Sequence, residues 1–377
     1  HCIDIIFMVR IFPIQEKEAN ILNLLNKMEF KIGKVKFSEK NCVIIAEAGV
    51  NHNGSLKIAE KLIKEAKLNG ADIIKFQTYK ANKLVIKKSP RFWKWKGEIK
   101  KTGTQHDSYS RLDNFNKEEY VKLIKLCKKY DIEFMSTAFD VESVKMLKKI
   151  GMKGFKVASC DLNNFELLHE IAKTKLPILL SSGASNISEI KDAVKFLNKN
   201  GSFKVCIMHC TLCYPTKPKD SNLSALNDIR KHFTNNLLGL SDHTLGTNIA
   251  PASILYGVRV IEKHFTINKK LKKSADHWLS IDPKELKDLR NKCNEIFSSI
   301  GFYKKEVLNC ERDTRKLARR SIVARYPIKK GEKLTQRNIT CKRPGTGISP
   351  NNYFKLIGKN TSQDIQIDEI INPKNIY

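Results

Sequence analysis

Residues 237–243 read LLGLSDH, an apolar run that ends in a serine, an aspartate and a histidine. Residues 258–266, VRVIEKHFT, repeat the shape: β-branched and apolar side chains first, then Glu262, Lys263 and His264. Runs this short and this rich in Val, Ile and Leu are strands buried on both faces, and such strands belong to parallel sheets. Working outward from these two, six more runs of the same kind lie upstream, at 42–49, 71–79, 132–139, 154–159, 177–183 and 204–211. Helical patterns separate them. Ala59, Leu62, Ile63 and Ala66 keep i, i+3, i+4, i+7 spacing before Gly70, as do Tyr120, Leu123, Ile124 and Cys127, and Ile190, Ala193, Val194 and Leu197 before Gly201. Asp282, Pro283 and Glu285 supply an N-cap, a first-turn proline and a capping-box acid for a last helix. Eight parallel strands with helical crossovers are the number that closes a (β/α)8 TIM barrel. An open doubly wound sheet is the alternative, but no strand is followed by a glycine fingerprint for a dinucleotide.

The chain has 377 residues, 41% hydrophobic and 29% charged, which suits one large and one small domain. The reading divides it into a leading segment at 1–41, the barrel at 42–301, a charged linker at 302–318 and a small compact domain at 319–377, where short strands alternate with Lys-Gly and Pro/Gly turns. A native start at Met28 is expected, with residues 1–27 an upstream extension. No apolar run approaches the roughly 20 residues that span a bilayer. The ten cysteines lack framework spacing and read as reduced thiols in a cytoplasm. Lys and Arg total 69 against 39 acidic residues, a net charge of +30. Such a field attracts anions, yet the lysines are scattered over helix faces without a basic block. The charge reads chiefly as lysines on solvated faces; of the anions such a field attracts (nucleic acid, acidic lipid or a small phosphorylated substrate), nucleic acid is not expected as the main partner.

Chemistry collects at one place along each strand. Nearly every run finishes on polar residues: Glu47, Lys75 with Gln77, Ser136 with Thr137, Lys156 with Ser159, Ser181 with Ser182, Thr211, Ser241 with His243, and Glu262 with His264. In a barrel these carboxyl ends face a common cleft, the usual seat of the active site. The seventh and eighth strands are neighbours, so His243 and His264 reach the same rim and suit a divalent catalytic metal whose other positions are open. Glu262 shares the parity of His264 and either orients it or enters a buried ion pair. Lys75 and Lys156 cost several kcal/mol each to bury unpaired, so an anion is their natural partner, with the Ser and Thr hydroxyls as further donors. Lys156 and Ser159 differ in parity, which requires the strand to bend near Ala158. Glu47 and Asp161 are the candidate acid/base groups, although Asp161 could instead cap the following helix. The turn VNHNGS (50–55) reads as an ordinary βα turn that His52 could cap.

The motifs IIAEAGVNHNGS, IIKFQT, FKVASCD, HCTLCYPT, GLSDHT, EKHFT and KRPGTG, in that order, resemble the sialic acid (N-acetylneuraminate) synthases. These are TIM-barrel enzymes with a C-terminal antifreeze-like SAF domain of β-clip fold. The resemblance covers about residues 40–377. It implies metal-dependent condensation of phosphoenolpyruvate with an open-chain N-acyl mannosamine-type sugar, giving a nine-carbon 2-keto acid and phosphate. It implies His243 and His264 as ligands of a divalent metal, manganese before magnesium or cobalt. Lys75, Ser136, Thr137, Lys156, Ser159, Ser181 and Ser241 would bind phosphoenolpyruvate, and Glu47 and Asp161 would move protons. Glu47, Tyr214, Asp276 and Arg343 would bind the sugar, Arg343 reaching in from the small domain of a partner subunit in a domain-swapped homodimer. Leu212 stands where members usually carry a small polar residue, and Asp161 where many bacterial members have Glu. Asp161 shortens the reach of that carboxyl by one methylene, and the Leu212 departure points to a legionaminic or pseudaminic acid synthase, acting on a diacetamido-trideoxy sugar, as the alternative. Trp93 and Trp95 are candidates for a lid. Two rivals differ in chemistry: a Schiff-base aldolase using Lys75 or Lys156, and a radical-SAM cluster on Cys206, Cys210 and Cys213. A third, a C-terminal binding module on a dead barrel, fits poorly with so complete a rim.

Overall fold

A computed structural model describes residues 29–91, 103–113, 115–301 and 304–377. Met28, the segment before it, Trp93 and Trp95 lie outside the described residues. The chain divides between Ile300 and Gly301 into two compact units.

In the first unit, eight strands close a barrel: β3 (Val43–Gly49), β4 (Ile73–Thr78), β5 (Glu133–Ala138), β6 (Phe155–Val157), β7 (Ile178–Ser181), β8 (Val205–Cys210), β9 (Leu238–Asp242) and β10 (Val258–His264). All neighbours are parallel, β10 closing onto β3. The helices that cover it bury the stripes their spacing predicts. Leu56–Leu68 buries Ala59, Leu62, Ile63 and Ala66, and Ile187–Lys199 buries Ile190, Ala193, Val194 and Leu197. Asp282 caps Pro283–Ser299, its side chain accepting from the Glu285 N–H while the Glu285 carboxylate accepts from the Asp282 N–H.

Because strand side chains alternate between faces, each strand contributes to two different cores. Ile44, Ile74, Phe134, Phe155, Leu180, Ile207 and Ile261 point outward into the core beneath the helices. Val43, Ile45, Ile73, Met135, Leu179, Cys206, Met208 and Val260 point inward and fill one end of the lumen. That end is closed by an antiparallel hairpin, β1 (Phe30–Ile32) with β2 (Val35–Phe37), formed by residues that the sequence reading leaves as an undivided leading segment. Phe30 and Phe37 stack at 4.8 Å between ring centroids, and Ile32 and Phe37 are fully buried. The plug excludes water from the lower barrel, so chemistry has only the opposite end.

The second unit is smaller. β11 (Ser321–Ala324) pairs antiparallel with β12 (Ile339–Lys342) over a core of Ile322, Ala324, Ile328, Leu334, Ile339, Ile365 and Ile371. Arg343 follows β12 directly. Among the described residues the cysteines are free thiols, and no helix is long and apolar enough to cross a membrane.

Gly239 shows how tightly the lumen is filled. A Cβ there would sit 2.9 Å from Met208 Cγ and 3.1 Å from the Val260 carbonyl oxygen. Overpacking of this kind costs about 1–3 kcal/mol. Gly239→Val should therefore lower stability by at least that much in chemical denaturation, and an unchanged midpoint would contradict the packing described.

Candidate active site

The inward parity that packs Val43, Ile73, Met135, Leu179, Cys206 and Val260 into the lower lumen continues upward into polar residues. Glu47, Lys75, Gln77, Thr137, Lys156, Ser181, Cys210, Ser241, Glu262 and His264 all follow on that face and line one cavity of about 430 Å³. All eight strands supply them.

Four charges meet at its floor. The Lys75 ammonium lies 2.6 Å from Glu47 Oε2 and 3.6 Å from Glu262 Oε2, and donates to Thr137 Oγ1 at 2.8 Å. The Lys156 ammonium donates to Ser181 Oγ at 2.6 Å and stands 3.8 Å from Glu262 Oε1. Ser241 Oγ donates to that same Glu262 oxygen at 2.9 Å, and Gln77 Nε2 donates to Glu47 Oε1 at 3.0 Å. Of the alternatives open for Glu262, the ion pair is therefore the one realised.

The two carboxylates divide in character. Burial raises the Glu47 pKa to about 7; Lys75 opposes that rise and Glu262 adds to it. Burial also works to raise Glu262, but Lys156 and Lys75 outweigh it and hold its pKa at about 2. Glu262 is thus the fixed anion of the group, and Glu47 is poised to gain or lose a proton near neutrality.

At the rim, His243 and His264 stand with ring centroids 5.6 Å apart. The His243 Nδ1–H donates to the Thr211 carbonyl at 2.9 Å, which fixes the tautomer and leaves Nε2 as the lone-pair nitrogen. Tyr214 packs on the His243 ring at 4.0 Å between centroids and edge-on against His264 at 5.8 Å. His264 Nδ1 is buried with no hydrogen-bond partner and lies 3.6 Å from Asp276 Oδ2. Burial, followed by the nearby His243 and Lys75, pushes the His264 pKa well below its ordinary value, so the ring is neutral. Burial raises Asp276 to about 6. Burial works to lower the His243 pKa, but Cys210 and the Thr211 carbonyl outweigh it and raise it, so a cation there would displace a proton. Two imidazoles, one orphaned nitrogen and an adjacent carboxylate are a donor set that fits a divalent cation. Among the described residues no three His, Cys, Asp or Glu side chains form a complete cage, so substrate and water oxygens would supply the remaining positions.

β6 ends at Val157 and the chain turns into a 3-10 segment at Ser159–Asp161, which is how Lys156 and Ser159 reach the same cavity despite their parity. Ser159 Oγ accepts from the Gly183 N–H at 3.0 Å. Asp161 is not a helix cap. Asn164 caps Phe165–Lys173, and its Nδ2 donates to Asp161 Oδ1 at 3.0 Å, leaving a carboxyl whose pKa burial raises.

Ser136 is the correction. Adjacent residues of a strand cannot both face the lumen, and Thr137 takes the inward place. Ser136 points outward, where its hydroxyl is 2.7 Å from that of Thr78, and it does not line the cavity. Arg343 belongs to the second unit. Sequence reasoning undervalued Gln77 and, of the loop 267–280 that brings Lys273, Ser274 and Asp276 to the cavity wall, singled out Asp276 alone, and that through the family resemblance. The signal for Gln77 was available in its parity with Lys75; that for the loop was not, because it has no periodic pattern.

Comparison with known proteins gives matches to two families, the NeuB family over residues 62–305 and the SAF domain over residues 319–376. An uncharacterized protein of Methanocaldococcus jannaschii is 40% identical, covering 87% of this chain and 92% of its own length. The N,N'-diacetyllegionaminic acid synthase of Campylobacter jejuni is 38% identical, covering 88% of this chain and 99% of its own. The crystal structure of an N-acetylneuraminic acid synthetase from Leptospira borgpetersenii, in complex with citrate, is 34% identical and superposes with a TM-score of 0.67 over 76% of this chain and 95% of its own.

The raised Glu47 pKa makes a stability prediction. A group whose pKa is raised on folding stabilises fully below its unfolded value, and that contribution is lost as pH rises through the folded value. For Glu47 the window runs from about 4.5 to about 7. Glu47→Gln should gain melting temperature relative to the parent, with a gain that grows from pH 5 to pH 8. A gain that shrinks over that range would reverse the assignment of the two carboxylates.

Proposed function

This chain belongs to the NeuB family and ends in a SAF domain, and on that footing we propose that it condenses phosphoenolpyruvate with the open-chain aldehyde of an N-acyl mannosamine-type sugar. The products are a nine-carbon 2-keto sugar acid and inorganic phosphate. The observation that carries the reading is the pair of buried ammoniums, Lys75 and Lys156, converging from two strands at the floor of the cavity whose rim holds His243 and His264.

Lys75 and Lys156 grip the enol phosphate and its carboxylate, with Thr137, Ser159, Ser181 and Ser241 as hydroxyl donors. Glu262 stays ionised between them and favours the charged form of both, raising Lys75 outright and opposing the burial that lowers Lys156. C3 of the enol attacks the aldehyde carbon and the new C–C bond forms, while the aldehyde oxygen takes a proton from Glu47 or Asp161 and becomes a hydroxyl. Water adds to the cationic C2 and gives its proton to a carboxylate, Glu47 or Asp161. Collapse of the tetrahedral centre breaks the C–O bond to phosphate and leaves the ketone. A divalent cation held by His243 and His264, manganese before magnesium or cobalt, would polarise the aldehyde as a Lewis acid. Tyr214 and Asp276 border the sugar end. Arg343 is proposed to complete it from the SAF domain of a partner subunit, in a swapped homodimer of the cytoplasm.

The finer question is the sugar. N-acetylmannosamine is the sequence-based expectation. One observation favours a diacetamido-trideoxy sugar instead: Val50, Tyr79 and Leu112 form an apolar cluster with Leu84, Tyr109 and Phe139, and all six line the cavity, as does Leu212. Such a wall suits a deoxy carbon and an extra acetyl methyl better than free hydroxyls or a phosphate.

Phosphate release from phosphoenolpyruvate, measured with N-acetylmannosamine, its 6-phosphate and a 2,4-diacetamido-2,4,6-trideoxy hexose, tests both levels. The apolar wall predicts the diacetamido sugar to give the highest kcat/KM, with EDTA abolishing turnover and His264→Ala lowering it by at least 100-fold. Turnover that survives EDTA, with borohydride trapping a substrate on Lys75 or Lys156, would replace this reading by a Schiff-base aldolase.

A further inference from the structure

The turn after β3 does more than reverse the chain. His52 closes it, its Nδ1 accepting from the Gly54 N–H at 3.0 Å while its ring stacks on Phe115 at 4.1 Å. Between them Asn53 adopts a left-handed conformation, φ 54°, which asparagine tolerates better than most residues. That backbone turns the Asn53 side chain across the rim, away from its own strand.

The Asn53 carboxamide meets the loop Ile267–Ser280, which runs between β10 and the helix Pro283–Ser299. Asn53 Oδ1 accepts from the Ser274 N–H at 3.1 Å and from His277 Nε2 at 3.0 Å. His277 is fully buried, and with Nε2 donating, its Nδ1 is left to accept from the Thr266 hydroxyl at 2.7 Å. The Asn53 carbonyl takes the Lys273 ammonium at 2.9 Å. Two residues earlier, Asn51 Nδ2 donates to the Phe265 carbonyl at 2.9 Å and to Ser280 Oγ at 3.1 Å. The loop is thus tied to the turn near both its ends, through Phe265 and Ser280, and three times in its middle, through Lys273, Ser274 and His277.

The ties converge on one residue. Asp276 lies next to His277, its N–H donates to Ser274 Oγ at 3.2 Å, and its carbonyl accepts from the Ser280 N–H at 3.1 Å and the Ser280 hydroxyl at 2.7 Å. Its carboxylate faces His264 at 3.6 Å and the cavity. A loop this long with no helix or strand of its own is ordinarily a mobile element; here the hydrogen bonds of Asn51, Asn53 and the buried His277 fasten it.

We infer that Asn53 and His277 are positioning residues: the hydrogen bond between them locks the Ile267–Ser280 loop so that Asp276 and Ser274 form a fixed wall at the sugar end of the cavity. The inference rests on the reading of that end as the sugar site. Neither residue touches the substrates; each acts through the loop.

The test uses the full chain with three substitutions. Asn53→Gly removes the carboxamide while allowing the left-handed backbone, Asn53→Asp keeps an acceptor oxygen in the same place, and His277→Leu removes the donor. Amide hydrogen exchange of the segment 267–281 is measured without substrates, and KM is measured for phosphoenolpyruvate and for the best sugar of the panel above. The lock predicts exchange at least 10-fold faster in Asn53→Gly and His277→Leu, a sugar KM raised at least 10-fold with the phosphoenolpyruvate KM within 2-fold, and near-parent values for Asn53→Asp. Unchanged exchange, or an equal rise in both KM values, would overturn it. Should His277→Leu fail to fold, Asn53→Gly with its Asn53→Asp control decides. If the parent chain turns over no sugar, the proposed function fails, and the exchange measurement still decides the lock by the same criterion.

Discussion

Two ammoniums and two carboxylates share a volume from which water is largely excluded, and the rest of the barrel is arranged around that fact. Removing Glu262, the fixed anion, would leave two buried ammoniums undercompensated, and breaking comparable pairs costs about 3–5 kcal/mol. Glu262 is central because it faces both lysines and accepts from Ser241. Glu47 pairs with Lys75 alone. In the absence of substrate the four charges cancel. An arriving enol phosphate brings further negative charge, and the group that can absorb the difference by holding a proton is Glu47, whose pKa lies at about 7. The proposed anion site and the proposed proton carrier are therefore parts of one electrostatic arrangement.

That arrangement needs a rigid frame, and the frame uses the opposite face of the same strands. Lys263 and Asp242 alternate with the inward Glu262, His264 and Ser241, and they form their own buried ion pair at 2.6 Å behind the sheet. Lys263 also donates to the Thr244 carbonyl at 2.6 Å, while Asp242 accepts from the Thr244 N–H at 2.9 Å. These bonds tie β9 to β10 at the level where the two imidazoles emerge. Below, the Phe30–Phe37 plug seals the lumen. The polar floor thus has apolar packing beneath it and a cross-linked wall beside it.

Much of this was legible from residue order. The barrel followed from counting apolar runs, and the outer helices from spacing, because buried faces leave a period that survives in sequence. The inward set of Glu47, Lys75, Thr137, Lys156, Ser181, Ser241 and Glu262 could be gathered because each closes an apolar run. Ser136 was misplaced for a physical reason: two hydroxyls side by side cannot be ranked without knowing which parity faces the lumen, although Lys75 and Met135 together would have fixed it. The β1–β2 hairpin was missed because three-residue strands carry almost no periodic signal. The fastening of Ile267–Ser280 onto Asn53 was invisible because it joins positions more than 200 residues apart through side chains that, in isolation, read as an ordinary turn.

The central claim is a division of labour within one cavity, with lysines at the floor for the enol phosphate and histidines at the rim for a cation. The most direct measurement is a crystal structure of the chain with manganese and phosphoenolpyruvate, using anomalous scattering to locate the metal. The account predicts one manganese bonded to both His243 and His264, with the phosphate against the Lys75 and Lys156 ammoniums. Manganese bound away from either imidazole, or a phosphate that touches neither lysine, would contradict it.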